Sequence, residues 1–243
     1  MGPVRLAVVP ARGGSRRIPR KNVRDFCGRP MLAWGIEAAL ESGCFDRVVV
    51  STDDPEIARV AEAAGAEVPF VRPPELSDDR TGTGPVVAHA ARECGLDGGD
   101  LVCCVYPTAP FLQAEDLRRG LEVLERGELD YVFSATTFPF PIQRAIRPTP
   151  AGRVEMFQPE HLETRSQDLE EAWHDAGQFY WGRAAAWLRG APIFSSAAAM
   201  VPLPRLRVQD IDTPEDWARA ELMFRALHPA AAGSGPPADG RRP

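Results

Sequence analysis

The chain has 243 residues, 44% of them hydrophobic, enough to bury a full core in one α/β domain with an appended element. Its 28 basic and 34 acidic residues leave a net charge of −6. That balance argues against a general nucleic-acid binder, which neutralises phosphates over a broad basic surface. Five cysteines, Cys27, Cys44, Cys94, Cys103 and Cys104, include no CxxC pair and no Cys/His cluster with zinc-ligand spacing. No signal peptide and no apolar run of roughly 18 residues occur, so the expectation is a cytoplasmic protein without a membrane span.

An apolar run near 4–9 reads as the first strand. It leads into Ala11-Arg12-Gly13-Gly14-Ser15-Arg16-Arg17-Ile18-Pro19-Arg20-Lys21-Asn22. Glycines at 13 and 14 allow backbone N–H groups to approach a ligand, and successive N–H groups in such a turn form a concave anion nest. Lys21 is the only lysine among the 28 basic residues, and it closes this loop. Arginine offers a planar fork, whereas lysine is a compact charge on a flexible stem that follows a phosphate through a reaction. The plain alternative is a solvated basic connector between strand and helix.

Apolar positions Leu32, Ile36, Ala39 and Leu40 then predict a helix. A β-branched strand over 47–52 ends in Asp53-Asp54-Pro55, which caps a helix reaching 64, and Gly65 stops it. A third strand is expected over 67–71, followed by a loop with Arg72, Thr81 and Thr83. A helix over 84–94, a strand over 101–106, a helix over 116–126 and a strand over 131–136 come next. Prolines 139, 141, 148, 150 and 159 forbid a long helix, so 139–173 reads as an insertion that leaves the main sheet. Residues 178–181 return to it, and 214–227 form a last amphipathic helix.

Strands alternating with helices predict an α/β fold, Rossmann-like, with a mostly parallel sheet and helices on both faces. One domain spans 1–228, and the Ala/Gly/Pro-rich tail 229–243 is expected to be disordered. Ligands in such sheets bind beyond the carboxyl ends of the strands. Loops 11–22, 52–54, 72–83, 106–110 and 209–213 should therefore share one crevice.

Within 209–213, Asp210 and Asp212 alternate in an extended segment and so face one side. Paired hard carboxylates suit Mg²⁺, which takes the rest of its shell from water and substrate phosphate. The competing reading is that Asp212 or Thr213 merely caps the helix at Pro214, with Asp216 in its first turn.

The runs AVVPARGGSRRIPRKN, STDDPEIARVAEAAGAEVPFVRPPELSDD, YPTAPFL, TRSQDLEEAWHDAGQFYWG and VQDIDTPEDW closely resemble the bacterial pseudaminic acid cytidylyltransferases, relatives of the CMP-sialate synthetases, over roughly 4–225. The resemblance implies a nucleotide-diphospho-sugar transferase fold and attack by the anomeric hydroxyl of a nine-carbon 2-keto sugar acid on the α-phosphorus of CTP. By the same resemblance, Arg12, Ser15 and Lys21 hold the triphosphate on a turn completed by Ala11, Gly13 and Gly14. Asn22 and Arg72 fix the nucleotide, and Thr81 and Thr83 lie near base or ribose. Tyr106 departs from the glutamine of the sialate enzymes, and Asp210 and Asp212 match the pair that binds divalent metal. Lys21, Arg12 and Asp212 are the catalytic candidates. For the sugar acid, Arg144 and Arg165 are candidates for its carboxylate, with Gln143, His174, Asp175 and Gln178 for its hydroxyl and acetamido groups; His174 reads equally as a structural histidine. The insertion is expected to make a two-fold homodimer.

Two other readings compete. A dinucleotide-dependent oxidoreductase also begins with strand, Gly-rich turn and helix, but the turn lacks GxGxxG. A non-catalytic nucleotide-sugar binding module would keep the basic loop and have no need of Asp210 with Asp212. Legionaminate, N-acetylneuraminate and 3-deoxy-octulosonate are the alternative sugar acids.

Overall fold

A computed structural model of the chain describes residues 2–15, 17–78 and 80–229. In chain order the elements are β1 (Arg5–Pro10), β2 (Asp25–Phe26), β3 (Arg29–Pro30), α1 (Met31–Ser42), β4 (Arg47–Ser51), α2 (Pro55–Ala63), α3 (Thr83–Glu93), β5 (Leu101–Val105) and α4 (Ala114–Arg126). They continue as β6 (Tyr131–Thr137), β7 (Ile146–Pro148), β8 (Val154–Met156), β9 (Trp173–Arg183), α5 (Ala184–Leu188), β10 (Ala198–Pro202) and α6 (Pro214–Leu227).

Six strands form the main sheet in the order β10-β6-β9-β5-β1-β4. The β1–β4, β1–β5 and β10–β6 pairings are parallel, and β9 runs antiparallel between β5 and β6. Leu6 to Val9 are all fully buried because β1 is covered on both faces. Ala7 and Val9 pack with Leu32, Ile36, Ile57, Leu117 and Leu121 from α1, α2 and α4. Leu6 and Val8 pack on the other side with Val87, Ala90, Ala184 and Trp187 from α3 and α5. Each large apolar side chain so buried contributes about 1.5–3 kcal/mol.

A third cluster does most to position the site. Ile18 of the basic loop, Phe26 of β2, Phe111, Ile211, and Trp217 and Phe224 of α6 pack together, with Phe26 edge-on to both Trp217 and Phe224 at 5.4 Å between centroids. Two segments nearly 200 residues apart in sequence are thereby pressed against each other.

Two expectations need correction, and two elements were not foreseen. The strand expected over 67–71 is reduced to a single bridge between Val49 and Glu67, because Pro69 has no N–H with which to extend the ladder. The chain rejoins the sheet at Trp173, earlier than the expected 178, and runs on to Arg183. The pattern also gave no sign of α5 or β10. Within the insertion, β7 and β8 form a small antiparallel hairpin separate from the main sheet. Apart from Pro229, the tail 229–243 lies outside the described residues.

Candidate active site

The basic loop continues β1 past its last paired residue, with Ala11 N–H donating to the carbonyl of Ser51 at 3.0 Å. Asn22, buried, donates from Nδ2 to the Arg12 carbonyl at 3.0 Å and folds the loop back on itself. Gly13 is required for space, since a Cβ there would lie 2.6 Å from Asp54 Oδ2. Its N–H donates to Asp53 Oδ1 at 3.1 Å. That corrects the expectation that both glycine N–H groups stand open to an anion: one of them ties the loop to the β4–α2 turn. Around Gly14 there is open space.

Arg20 fastens the same junction from the other end of the loop. It has φ +56°, a left-handed conformation that costs a side-chain-bearing residue roughly 1–2 kcal/mol. Its guanidinium grips both oxygens of Asp54, Nη2 to Oδ1 at 3.1 Å, and also reaches Glu56. Asp54 in turn caps α2 by accepting from the N–H groups of Glu56 and Ile57. The Arg20 hydrogen bond, followed by the two backbone donors and opposed by burial, lowers the Asp54 carboxyl from 3.8 to about 2. A depressed folded-state pKa means stabilisation present above the ordinary carboxylate range and lost as pH falls through about 2. Asp54→Asn is thus expected to lower the melting temperature most above pH ~4, and the gap to the parent should close on acidification toward pH ~2. A gap that stays constant over that window in thermal melts would remove Asp54 from this role.

Loop ends from across the sheet enclose a cavity of about 500 Å³. Arg12, Ser15, Lys21, Asn22, Arg72, Thr81, Thr83, Tyr106 and Asp212 all line it. Arg72, 3% exposed, donates from Nε to Ser51 Oγ at 3.1 Å and from Nη2 to the Ser51 carbonyl, with no ion pair among the described residues. Burial, partly offset by Asp53 and reinforced by Arg12, pushes it down to about 10. A desolvated cation of this kind is ready for an anionic ligand. Arg12 donates to the Asp78 carbonyl at 3.0 Å, and Thr81 donates from its backbone to Asp78 Oδ1 at 2.7 Å.

Asp212 faces two cations: Arg17 Nη1 is 2.8 Å from Oδ2, and Lys21 Nζ is 3.4 Å from Oδ1. Lys21 Nζ also donates to the Ile211 carbonyl at 2.6 Å. Capping of α6 falls to Thr213, which forms a reciprocal box with Asp216 at the first turn. Asp212 and Asp210 are both left over from that task. Desolvation, then the neighbouring charge of Asp212, raises the Asp210 carboxyl, against the pull of Lys21. Mutual repulsion is relieved by a bound cation. Among the described residues no group of three or more His, Cys, Asp or Glu side chains gathers as a metal cluster. Asp212 lines the cavity while Asp210, exposed, stands outside its lining; a carboxylate pair at the rim fits Mg²⁺, which keeps water and phosphate oxygens in its shell.

The residues proposed for the sugar do not line this cavity. Gln143 donates from Nε2 to the Glu170 carbonyl, and Arg144 donates to Ser166 Oγ and the Leu162 carbonyl, so both tie the insertion to itself. Arg165 is exposed. His174 shares Nδ1 with the Asp175 carbonyl at 2.9 Å and meets the Phe138 ring edge-on. Asp175 accepts from Gly177 N–H and Tyr180 O–H. Gln178, 3% exposed, donates to the Arg207 carbonyl and braces the approach to Asp210. Among residues not singled out from sequence, Arg17, Ile18, Asp78, Val86 and Thr108 also line the cavity. Only Arg17 carried a signal, its place in the basic run.

A crevice beyond the ends of the parallel strands, closed by a cationic loop and an acidic turn, lies where ligands of α/β sheets bind and is lined for an anionic one. The chain belongs to the cytidylyltransferase family, whose pattern it matches over residues 6–220. It is 44% identical over 228 residues to a pseudaminic acid cytidylyltransferase of Campylobacter jejuni, covering 93% of this chain and 98% of that one. It is 32% identical to a CMP-N,N'-diacetyllegionaminic acid synthase of Legionella pneumophila, covering 90% and 95%. Among solved structures, a CMP:2-keto-3-deoxy-manno-octonic acid synthetase complexed with CTP superposes with a TM-score of 0.67 at 16% identity, covering 92% of this chain and 99% of the other.

Proposed function

We propose that this cytidylyltransferase activates pseudaminic acid: CTP and the sugar acid give the CMP-sugar and diphosphate. The observation that carries the reading is the meeting of Lys21 and Asp212 in one cavity with the buried Arg72. Kinship at 44% identity to a relative of that name supports the choice of sugar.

In the reaction, the bond from the anomeric oxygen to the α-phosphorus forms while the bond to the leaving diphosphate breaks, and the hydroxyl gives up its proton. Negative charge grows on the departing phosphates. Arg12, Arg17 and Lys21 supply fixed positive charge there, which lowers the transition state more than the ground state. Asp212 is the candidate to receive the proton. Asp210 and Asp212 would hold Mg²⁺, which when bound supplies charge neutralisation at the α-phosphate. Arg144 and Arg165 are assigned to the sugar carboxylate, for which bidentate arginine is suited, with Gln143, His174, Asp175 and Gln178 around the ring substituents.

Exposed Phe140, Ile146, Val154, Phe157 and Leu162 on the insertion support a two-fold dimer seated on that hairpin, with the partner bordering the sugar site. No described helix is long and apolar enough to cross a membrane, and the enzyme is assigned to the cytoplasm, where CTP is found.

The test is diphosphate release from CTP with pseudaminic, legionaminic, N-acetylneuraminic and 3-deoxy-octulosonic acids, with and without Mg²⁺. Fastest turnover with pseudaminic acid, dependent on the metal, is expected. Faster turnover of another acid overturns the sugar assignment, and no diphosphate with any of them overturns the activity.

A further inference from the structure

Two described residues that carry a side chain have left-handed backbone, Cys27 at φ +52° and Arg20 at φ +56°. Cys27 is accounted for by its turn: with Gly28 it forms the two-residue connection between β2 and β3, where a hairpin favours positive φ at both positions. Arg20 lies in no hairpin. At a residue other than glycine such a conformation persists only where the surroundings impose it, and it gathers at functional sites.

Backbone and side chain both impose it here. The Arg20 carbonyl accepts from the N–H groups of Val23 and Arg24, each at 3.0 Å, so the peptide that leads into Lys21 has a set orientation. The guanidinium lies at the start of α2, where the helix dipole disfavours a cation, and Asp54 and Glu56 keep it there. The next residue is Lys21, whose Nζ donates to the Ile211 carbonyl at 2.6 Å and faces Asp212. Relaxing Arg20 to an ordinary right-handed φ would turn the chain by about 120° immediately before that side chain. Among the described residues that line the cavity Arg20 is not one, so any effect it has on the reaction runs through its neighbour.

We infer that Arg20 is a positioning residue for Lys21: its ion pair with Asp54 holds the left-handed turn that delivers the ammonium to the Ile211 carbonyl and Asp212. The inference rests on the reading that Lys21 acts on the departing phosphates. The cap of α2 thereby becomes a support of the catalytic apparatus.

Lys21 is the only lysine in the chain, so the full-length protein labelled with ¹³Cε-lysine gives one side-chain resonance that reports this position alone. In the parent a pair of inequivalent Hε protons, displaced from the free-lysine position, is expected. Arg20→Ala should merge them and return the signal toward free lysine, with the circular dichroism unchanged. Arg20→Gly, which accepts positive φ without a partner, should keep part of the displacement. In steady-state diphosphate release Arg20→Ala should lower kcat about tenfold, within the hundredfold or so that a misplacement of about 1 Å can cost. In a Lys21→Met background the same change should cost less than about twofold, because a residue that acts through Lys21 then has nothing to position. An unmoved resonance in folded Arg20→Ala, an Arg20→Gly signal as free as that of Arg20→Ala, an unchanged kcat, or an equal loss of kcat in both backgrounds overturns the inference. Asp54→Asn keeps a helix cap and weakens the hold on the guanidinium, and it decides the matter by the same measurements if Arg20→Ala does not fold. Absence of diphosphate from the parent overturns the activity instead, a result distinct from the resonance, which still shows whether Arg20 holds Lys21.

Discussion

Lys21→Met is expected to slow diphosphate release about a hundredfold without changing the fold. Its ammonium is held between the Ile211 carbonyl and Asp212, with 17% of the side chain exposed. Methionine keeps much of the apolar stem and removes the charge. A charge-assisted hydrogen bond contributes roughly 1.5–3 kcal/mol net, and the upper figure corresponds to about two powers of ten in rate. Lys21→Arg should rescue little, since a planar fork does not replace a compact cation at one carbonyl and one carboxylate oxygen. Steady-state kcat alongside circular dichroism checks both points. A loss of less than about tenfold with the fold retained would take Lys21 out of transition-state stabilisation.

Asp116→Ala is expected to cost about 3–5 kcal/mol of stability, the penalty for stranding a buried charge. Asp116, 2% exposed, lies in the first turn of α4 and accepts from Arg207 through both oxygens, Nη1 to Oδ2 at 2.5 Å and Nη2 to Oδ1 at 3.1 Å. The Arg207 side chain is itself 14% exposed, so its charge has little recourse to water once Asp116 is gone. Arg207 lies in the turn just before Asp210 and Asp212, and its own carbonyl is held by Gln178. The variant should therefore melt on the order of 6–20 °C lower and lose turnover well below its new midpoint. Asp116→Asn, which keeps an acceptor, should fall between the two. Calorimetry showing a drop of less than about 2 °C would mean that Arg207 finds water or another partner.

The elements legible in the sequence were those whose signal is local. The last helix was expected over 214–227 and is found there, because Thr213, Pro214 and Asp216 write a cap, a first-turn proline and a reciprocal acid in consecutive positions. The basic loop and the acidic turn were readable from charge and glycine spacing. Their convergence followed from the rule for parallel sheets, and the structure puts Lys21 against Asp212. Strand β10 was not readable: Ala198-Ala199-Met200-Val201-Pro202 has weak strand preference, and it is a strand because β6 offers an edge to pair with. Pairing also explains the opposite error at 67–71, where a strand was expected and Pro69 ends the ladder after one bridge. The Arg207–Asp116 pair joins positions 91 apart, and the Tyr180–Asp175 bond follows from a register shift between β6 and β9; neither has a signature in residue type or spacing.

The proposed nucleotide cradle takes its ammonium from position 21 and its facing carboxylate from position 212, and Ile18, Phe26, Ile211 and Trp217 seal the seam between them. During synthesis from the amino end, the first of these groups leaves the ribosome long before the second. Until α6 has emerged and docked, a growing chain holds a cluster of arginines with no acidic turn to close it. Catalytic competence is therefore among the last properties the polypeptide acquires.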